Sequence, residues 1–380
     1  MEIRLRRDDL LAELTLLQGI VERRSTIPIL SHLLVDARED ALHLAATDLD
    51  VSLATQCPAD IQAEGAIAVE AKKFTDIIRA LGDSEIHLTR DPDSHQIHIA
   101  AGRSRFRIRG LEADNFPTLP EVETGPAADL GVPLMKGLIS KIFFAISSEE
   151  SRFQLNGALF KVREGGLEMV ATDGHRLALV EIDAPEEGND EGAPSFRVHV
   201  PQDGVLIPRK ALQEILRFDD AEESLSFRRS EHHLSFRFGR RELTCRILEG
   251  TFPDYDRVIA RDQDKRPILE RDQFQEAVQR VALLTGERSR GVLLAFEEGE
   301  LTISATNPDV GEAVESVPCE YDDDPVKVGL NPDYLSQFLG AAESPRVRLE
   351  LKDGESQCVG YPEGGEEEIR YLCVIMPMHV

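Results

Sequence analysis

LEMVATDGHRLAL (167–179) is the stretch on which the fold reading turns. An alternating run enters a turn that gathers Thr172, Asp173, His175 and Arg176 around Gly174, and a second apolar run leaves it. Alone, the turn has the composition of an acid–base site, with Asp and His in one tight bend. Two other stretches change that reading. LHLAATDLDVSL (42–53) and LTISATNPDVGEA (301–313) share its order of alternating strand, Ala-Thr-Asp/Asn and turn. Thr47, Thr172 and Thr306 lie 125 and 134 residues apart.

The neighbours recur in the same order. PILSHLLVDARED (28–40), FQLNGALFKVREGG (153–166) and RGVLLAFEEGE (290–300) predict a strand before each phrase. An amphipathic helix precedes each strand, marked by Leu10, Leu14, Leu17 and Val21, then Leu138, Ile142 and Ala145, then Phe274, Val278, Val281 and Leu284. A shorter helix follows at KKFTDIIRAL (72–81), RKALQEILRF (209–218) and PDYLSQFLGAA (332–342). Two of the strand pairs that come next end alike, in LEADNFPTLP (111–120) and LEGTFPDYDRV (248–258). The chain therefore reads as three copies of one α+β unit, with domains at 1–125, 126–259 and 260–380. Turn-rich junctions fall near ETGPAADLG (123–131) and ARDQDKRP (260–267). The acidic DAPEEGNDEGAP (183–194) reads as a solvated loop inside the middle copy.

The 380 residues are 41% hydrophobic, enough for a substantial core, yet no apolar run reaches the roughly 18 residues of a membrane helix. MEIRLRRDDLLAEL has no apolar signal-peptide core. The five cysteines form no CxxC, which fits free thiols in a reducing cytoplasm. A formal charge of −27 argues at first against a nucleic-acid partner. The acidic excess lies outside the six predicted helices, whose segments carry slightly more Lys and Arg than Asp and Glu. Six helices lining one surface would make that surface near neutral to basic. The competing explanation is that Lys and Arg are good helix formers, but Glu is equally good and is not enriched there.

Chemistry by the turn has little support elsewhere. No Ser or Cys nucleophile motif accompanies Asp173 and His175, and His95–His98 and His232–His233 lack a matched carboxylate set for a metal. No GxxxxGK[ST] loop is present. A single turn histidine is more often structural than catalytic, and an enzyme using Asp173 and His175 stands as one rival reading.

The three-fold repeat, ATDGHRLA (171–178), GTFPDYDRV (250–258) and MPMHV (376–380) closely resemble the bacterial DNA polymerase III beta subunits, the sliding clamps. The resemblance runs from Met1 to Val380. It implies three repeated clamp domains per subunit and a head-to-tail homodimer closed into a ring, with helices lining duplex DNA and antiparallel sheets outside. It implies no catalytic activity, exonuclease included, no cofactor, no metal and no membrane, and a cytoplasmic, nucleoid-associated protein. The implied partners are double-stranded DNA, a second copy, the polymerase III alpha subunit, a clamp loader, and other polymerases, mismatch-repair proteins and ligase that carry clamp-binding peptides. A specialised second clamp, with altered partner or antibiotic specificity, is the other rival.

Carried over position by position, the resemblance implies a peptide pocket of Leu155, Thr172, Gly174, His175, Arg176, Leu177, Pro253, Arg257, Val258, Val374, Met376, Pro377 and Met378, with Asn331 and Tyr334 on its rim. The implied DNA-facing residues are Arg24, Lys73, Arg79, Lys136, Lys141, Arg152, Phe153, Arg209, Lys210 and Arg217. Glu149, Gln154 and His379 depart from what related clamps often carry. RSRFRIRG (103–110) alternates Arg103, Arg105, Arg107 and Arg109 with Phe106 and Ile108. An ordinary half-exposed strand reads the same way. The resemblance makes it a dimer edge, with Leu283 and Leu284 packing on a partner's Phe106 and with Asp309, Glu312 and Glu315 facing the arginines.

Overall fold

A computed structural model describes residues 1–22, 26–82, 85–90, 95–122, 128–163, 166–183, 204–219, 224–286, 291–364 and 369–379. Arg24, Val380, most of the acidic insert and the start of the first junction lie outside them. Six α-helices form among the described residues: α1 (Arg7–Ile20), α2 (Ala71–Ala80), α3 (Val132–Ile142), α4 (Arg209–Ile215), α5 (Arg271–Ala282) and α6 (Pro332–Ala341). The 3.6-residue apolar period explains their buried faces. Leu10, Leu14 and Leu17 of α1 and Phe274 and Val278 of α5 have no exposure. Val21 and Leu284 fall just past the ends of α1 and α5, so the periodic pattern outruns both helices. At α6, the Asn331 side chain accepts from the Asp333 N–H at 2.9 Å and Pro332 takes the first helical position.

The chain divides into two compact units. The first is built mainly of Met1–Leu134 and Lys210–Ile247, around one 13-stranded antiparallel sheet. Strand Val51–Pro58 of the first copy pairs there with Arg241–Arg246 of the middle copy, from Glu242↔Ala54 to Cys245↔Val51. The second unit consists mainly of 135–183, 204–209 and 248–379, and carries an eight-stranded and a four-stranded sheet. Its Arg176–Asp183 strand, from the middle copy, pairs with Ile369–Ile375 of the third copy, from Arg176↔Ile375 to Ile182↔Ile369. Backbone pairing thus continues from one copy into the next, and the middle copy is shared between the two units.

Among the strand edges left open in the described residues, two bear on the expected contact with a second copy. Ser104–Leu111 pairs along its length with Gln96–Ala101, but on its other side only through Gly110 and Leu111. Gly110 is needed at that approach, because a Cβ there would lie 2.5 Å from the Ala68 carbonyl oxygen. In the second unit, Gly311–Pro318 is the outer strand of the four-stranded sheet.

Candidate functional site

The turn of the middle copy is held by the polar groups that first suggested chemistry. Thr172 Oγ1 donates to the Arg176 carbonyl at 2.6 Å and accepts from the Gly174 N–H at 3.1 Å. Asp173 Oδ1 accepts from the N–H groups of His175 and Arg176 at 2.9 and 3.0 Å. The first copy repeats this arrangement. Thr47 Oγ1 donates to the Val51 carbonyl at 3.2 Å, and Asp48 Oδ1 accepts from Asp50 and Val51 at 3.0 and 2.7 Å. Asn307 Oδ1 takes one such bond in the third copy, from Asp309 at 3.1 Å, while Thr306 is exposed. Side-chain oxygens that satisfy turn N–H groups close hairpins. In the first two copies the bend takes a left-handed residue at the same position, Gly174 at φ +89° and Leu49 at +81°. Asp173 also holds Arg176 Nε at 3.0 Å, so its carboxylate is committed to structure and not poised beside His175 as a base.

Arg176 is nearly buried. It bonds the Gln337 side chain and the Phe144 carbonyl, and its guanidinium stands 4.2 Å from the Tyr334 ring centroid and 5.1 Å from that of Phe144. A planar cation sandwiched this way fastens the turn to α6.

Beside it opens a cavity of about 120 Å³ lined by Leu155, Thr172, Gly174, Arg176, Leu177, Pro253, Tyr255, Val258, Val374 and Met376. The register Leu177↔Val374 sets two apolar walls on adjacent strands, and Leu155, Phe252, Tyr255 and Ile259 belong to the same apolar cluster. The Met376 N–H donates to the His175 carbonyl and the Met378 N–H to the Gly329 carbonyl, both at 2.9 Å, which pins the C-terminal segment as a wall. Val258 and Met376 remain exposed at the mouth, at 38% and 42%. A small apolar cavity with few polar groups suits an apolar side chain of a partner.

Nine of the expected pocket residues line this cavity. His175 and Arg257 are exposed outside it, Arg257 pairing with Asp254 at 2.7 Å. Asn331 caps α6, Tyr334 backs Arg176, and Pro377 and Met378 continue past the lining. Tyr255 is the lining residue that sequence reasoning missed. Its signal was an aromatic residue between Pro253 and Val258, and the 3-10 turn Tyr255–Arg257 buries it.

The cationic positions differ in what they present to solvent. Lys73, Arg79, Arg152 and Arg217 are exposed, as is Phe153, and Lys136 is half-buried. Lys141 is 6% exposed, with Nζ 3.0 Å from Glu343 and 5.6 Å from the Tyr371 ring centroid. Pairing a buried ammonium is the physical reason it turns inward. Arg209 donates to the Ile146 carbonyl at 2.8 Å, and Lys210 bonds the Ile20 carbonyl and the Asp48 carboxylate, so both are also engaged internally. Arg152 donates to the Asp173 carbonyl at 3.1 Å and Arg217 to that of Thr15 at 2.7 Å.

At the open edges, Arg103, Arg105 and Phe106 are exposed and Ile108 is half-buried. In the second unit Leu283 is 81% exposed, Leu284 is half-buried, and Asp309 and Glu312 are exposed. Val310 and Val314, which the sequence reading passed over, are exposed at 68% and 64%. Glu315 has a partner within the chain. Arg280 of the same chain already holds it at 2.6 and 3.0 Å.

Three family models match in order along the chain. They are the N-terminal domain of the DNA polymerase III beta subunit over residues 1–120, its central domain over 129–254 and its C-terminal domain over 256–379. The beta sliding clamp of Caulobacter vibrioides (strain NA1000 / CB15N) is 38% identical over 386 residues, covering 100% of both chains. That of Pseudomonas putida is 35% identical over 382 residues with the same coverage. A crystal structure of the Bartonella birtlesii sliding clamp bound to griselimycin matches with a TM-score of 0.91 and 35% identity, over 100% of each chain.

Proposed function

The chain belongs to the DNA polymerase III beta subunit family, the bacterial DNA sliding clamps, and from that premise we propose how its surfaces serve the role. It is a non-catalytic processivity factor that encircles duplex DNA as a homodimer and tethers the replicative polymerase and other clamp-binding proteins. The observation that carries this reading is the ordered match of all three family domains, with relatives aligned from end to end. The repeat divides as 1–125, 126–259 and 260–380, and the protein works in the cytoplasm on the nucleoid. Among the described residues, no helix is long and apolar enough to cross a membrane.

The cavity beside Arg176 captures short peptides. The family resemblance implies peptides anchored by a Leu and a Phe; burying both yields about 3–6 kcal/mol, whereas micromolar binding needs about 8. Backbone hydrogen bonds supply the remainder, and weak binding lets partners exchange. The exposed Lys73, Arg79, Arg152 and Arg217 touch phosphates sparsely, with no base readout, so the ring slides. The open edge of Ser104–Leu111 pairs with Gly311–Pro318 of a second copy, and Phe106, Leu283, Val310 and Val314 form its apolar contact. Apolar contact and strand pairing dominate there, because exposed ion pairs contribute little.

Retention on DNA tests the whole reading. After loading, the protein should stay on nicked circular DNA and slide off the same DNA once linearised. Equal retention on both forms would overturn topological binding.

A further inference from the structure

Two walls of the peptide cavity stand on paired strands, but the wall from Pro253 to Val258 is a loop with a single 3-10 turn. What positions that loop is a chain of three polar groups beneath it. Lys161 and Glu168 face each other directly on the neighbouring strands Gly157–Arg163 and Gly166–Thr172. Their charges stand 3.9 Å apart, and the Tyr255 hydroxyl lies between them. Lys161 Nζ donates to that hydroxyl at 2.9 Å, and the hydroxyl donates to Glu168 Oε1. An ammonium only donates and a carboxylate only accepts, so the phenol in the middle has one consistent orientation. Burial, and then the Glu168 carboxylate, push the Tyr255 hydroxyl well above the usual tyrosine range and keep its proton in place.

The ring is fixed as well as the hydroxyl. Lys161 Nζ lies 4.7 Å from the Tyr255 centroid, and the Phe252 ring meets it edge-on at 6.2 Å. The Tyr255 carbonyl accepts from Val258 at 2.9 Å and from Ile259 at 3.3 Å, so the placement of Tyr255 carries through to Val258 at the mouth. Tyr255 and Glu168 are 6% and 9% exposed.

We propose that Lys161 and Glu168 are positioning residues that clamp Tyr255 as one wall of the cavity, and that this wall sets the size of apolar side chain the cavity prefers. The inference rests on the peptide-capture reading. Its test uses the full-length protein and fluorescence anisotropy with two labelled peptides, identical except that one ends in Leu-Phe and the other in Leu-Val. Wild type prefers the larger anchor by about tenfold or more. Tyr255→Phe keeps the ring, loses the clamp and narrows that preference to about threefold. Glu168→Gln retains an acceptor and keeps the wild-type preference, whereas Glu168→Leu narrows it as Tyr255→Phe does. The double reversal Lys161→Glu with Glu168→Lys restores the preference, which controls for a single variant that folds poorly.

Wild-type discrimination in both Tyr255→Phe and Glu168→Leu overturns the inference. So does an equal loss of affinity for both peptides with no rescue by Glu168→Gln, because that marks a merely structural role. A wild-type protein that binds neither peptide instead sinks the capture reading itself.

Discussion

Glu13 is the buried charge whose removal should cost the first unit most. It sits on α1 with no exposure. Arg241 reaches it with two bonds, Nε at 2.9 Å and Nη2 at 2.8 Å, Thr55 Oγ1 donates at 2.8 Å, and Arg240 adds a bond at 3.2 Å. Arg241 itself is only 12% exposed, whereas Arg240 is 41% exposed and contributes less. Glu13→Ala removes the carboxylate that the nearly buried Arg241 guanidinium grips with two bonds, a change that costs about 3–5 kcal/mol. For a cooperative unit of 150–250 residues, about 2–4 °C per kcal/mol applies, so the transition should fall by about 6–20 °C. Burial raises the Glu13 carboxyl pKa, but the bonds and charges of Arg241, Thr55 and Arg240 outweigh it and hold the pKa below the ordinary value. The carboxylate therefore stabilises the fold above the unfolded pKa of about 4.3, and that contribution is lost as pH falls through the lower folded value. Thermal unfolding followed by circular dichroism should show the full gap between wild type and Glu13→Gln at neutral pH, closing below pH about 4. A Glu13→Ala shift under about 1 kcal/mol, or a gap to Glu13→Gln that widens in acid, would refute the reasoning.

Two further outcomes follow from the site and the edge. Asp173→Ala leaves the His175 and Arg176 N–H groups without their acceptor and frees Arg176 Nε. It should cost about 1–3 kcal/mol and weaken peptide binding, read by calorimetry; unchanged affinity would separate the turn from the cavity. Leu283→Asp places a charge on an 81% exposed leucine at the proposed contact with a second copy, and should raise the dimer dissociation constant by about tenfold or more. Sedimentation equilibrium reads this directly, and an unchanged constant would remove Leu283 from the interface.

The repeat was legible because its signals are local. Thr-Asp clasps bond within four residues along the chain, and the apolar periods of α1 and α5 bury against whatever lies beneath them. Cavity residues such as Leu177 and Val374 could be named from the resemblance, while their juxtaposition came from a strand register between distant segments. Tyr255 escaped notice because nothing within FPDYDRV says which of its polar and aromatic side chains turns inward.

By itself, then, the sequence determined three copies of an α+β unit and a turn that recurs at the same place in each. Those outcomes depend on residues a few positions apart, where backbone geometry leaves few alternatives. Only the tertiary structure decided how the charges are allocated. Lys141 pairs with Glu343 across 202 positions, and Lys161 and Glu168 converge on Tyr255. A buried ion must find an opposite charge or a hydrogen-bond partner wherever the fold brings one, and composition does not say where that is.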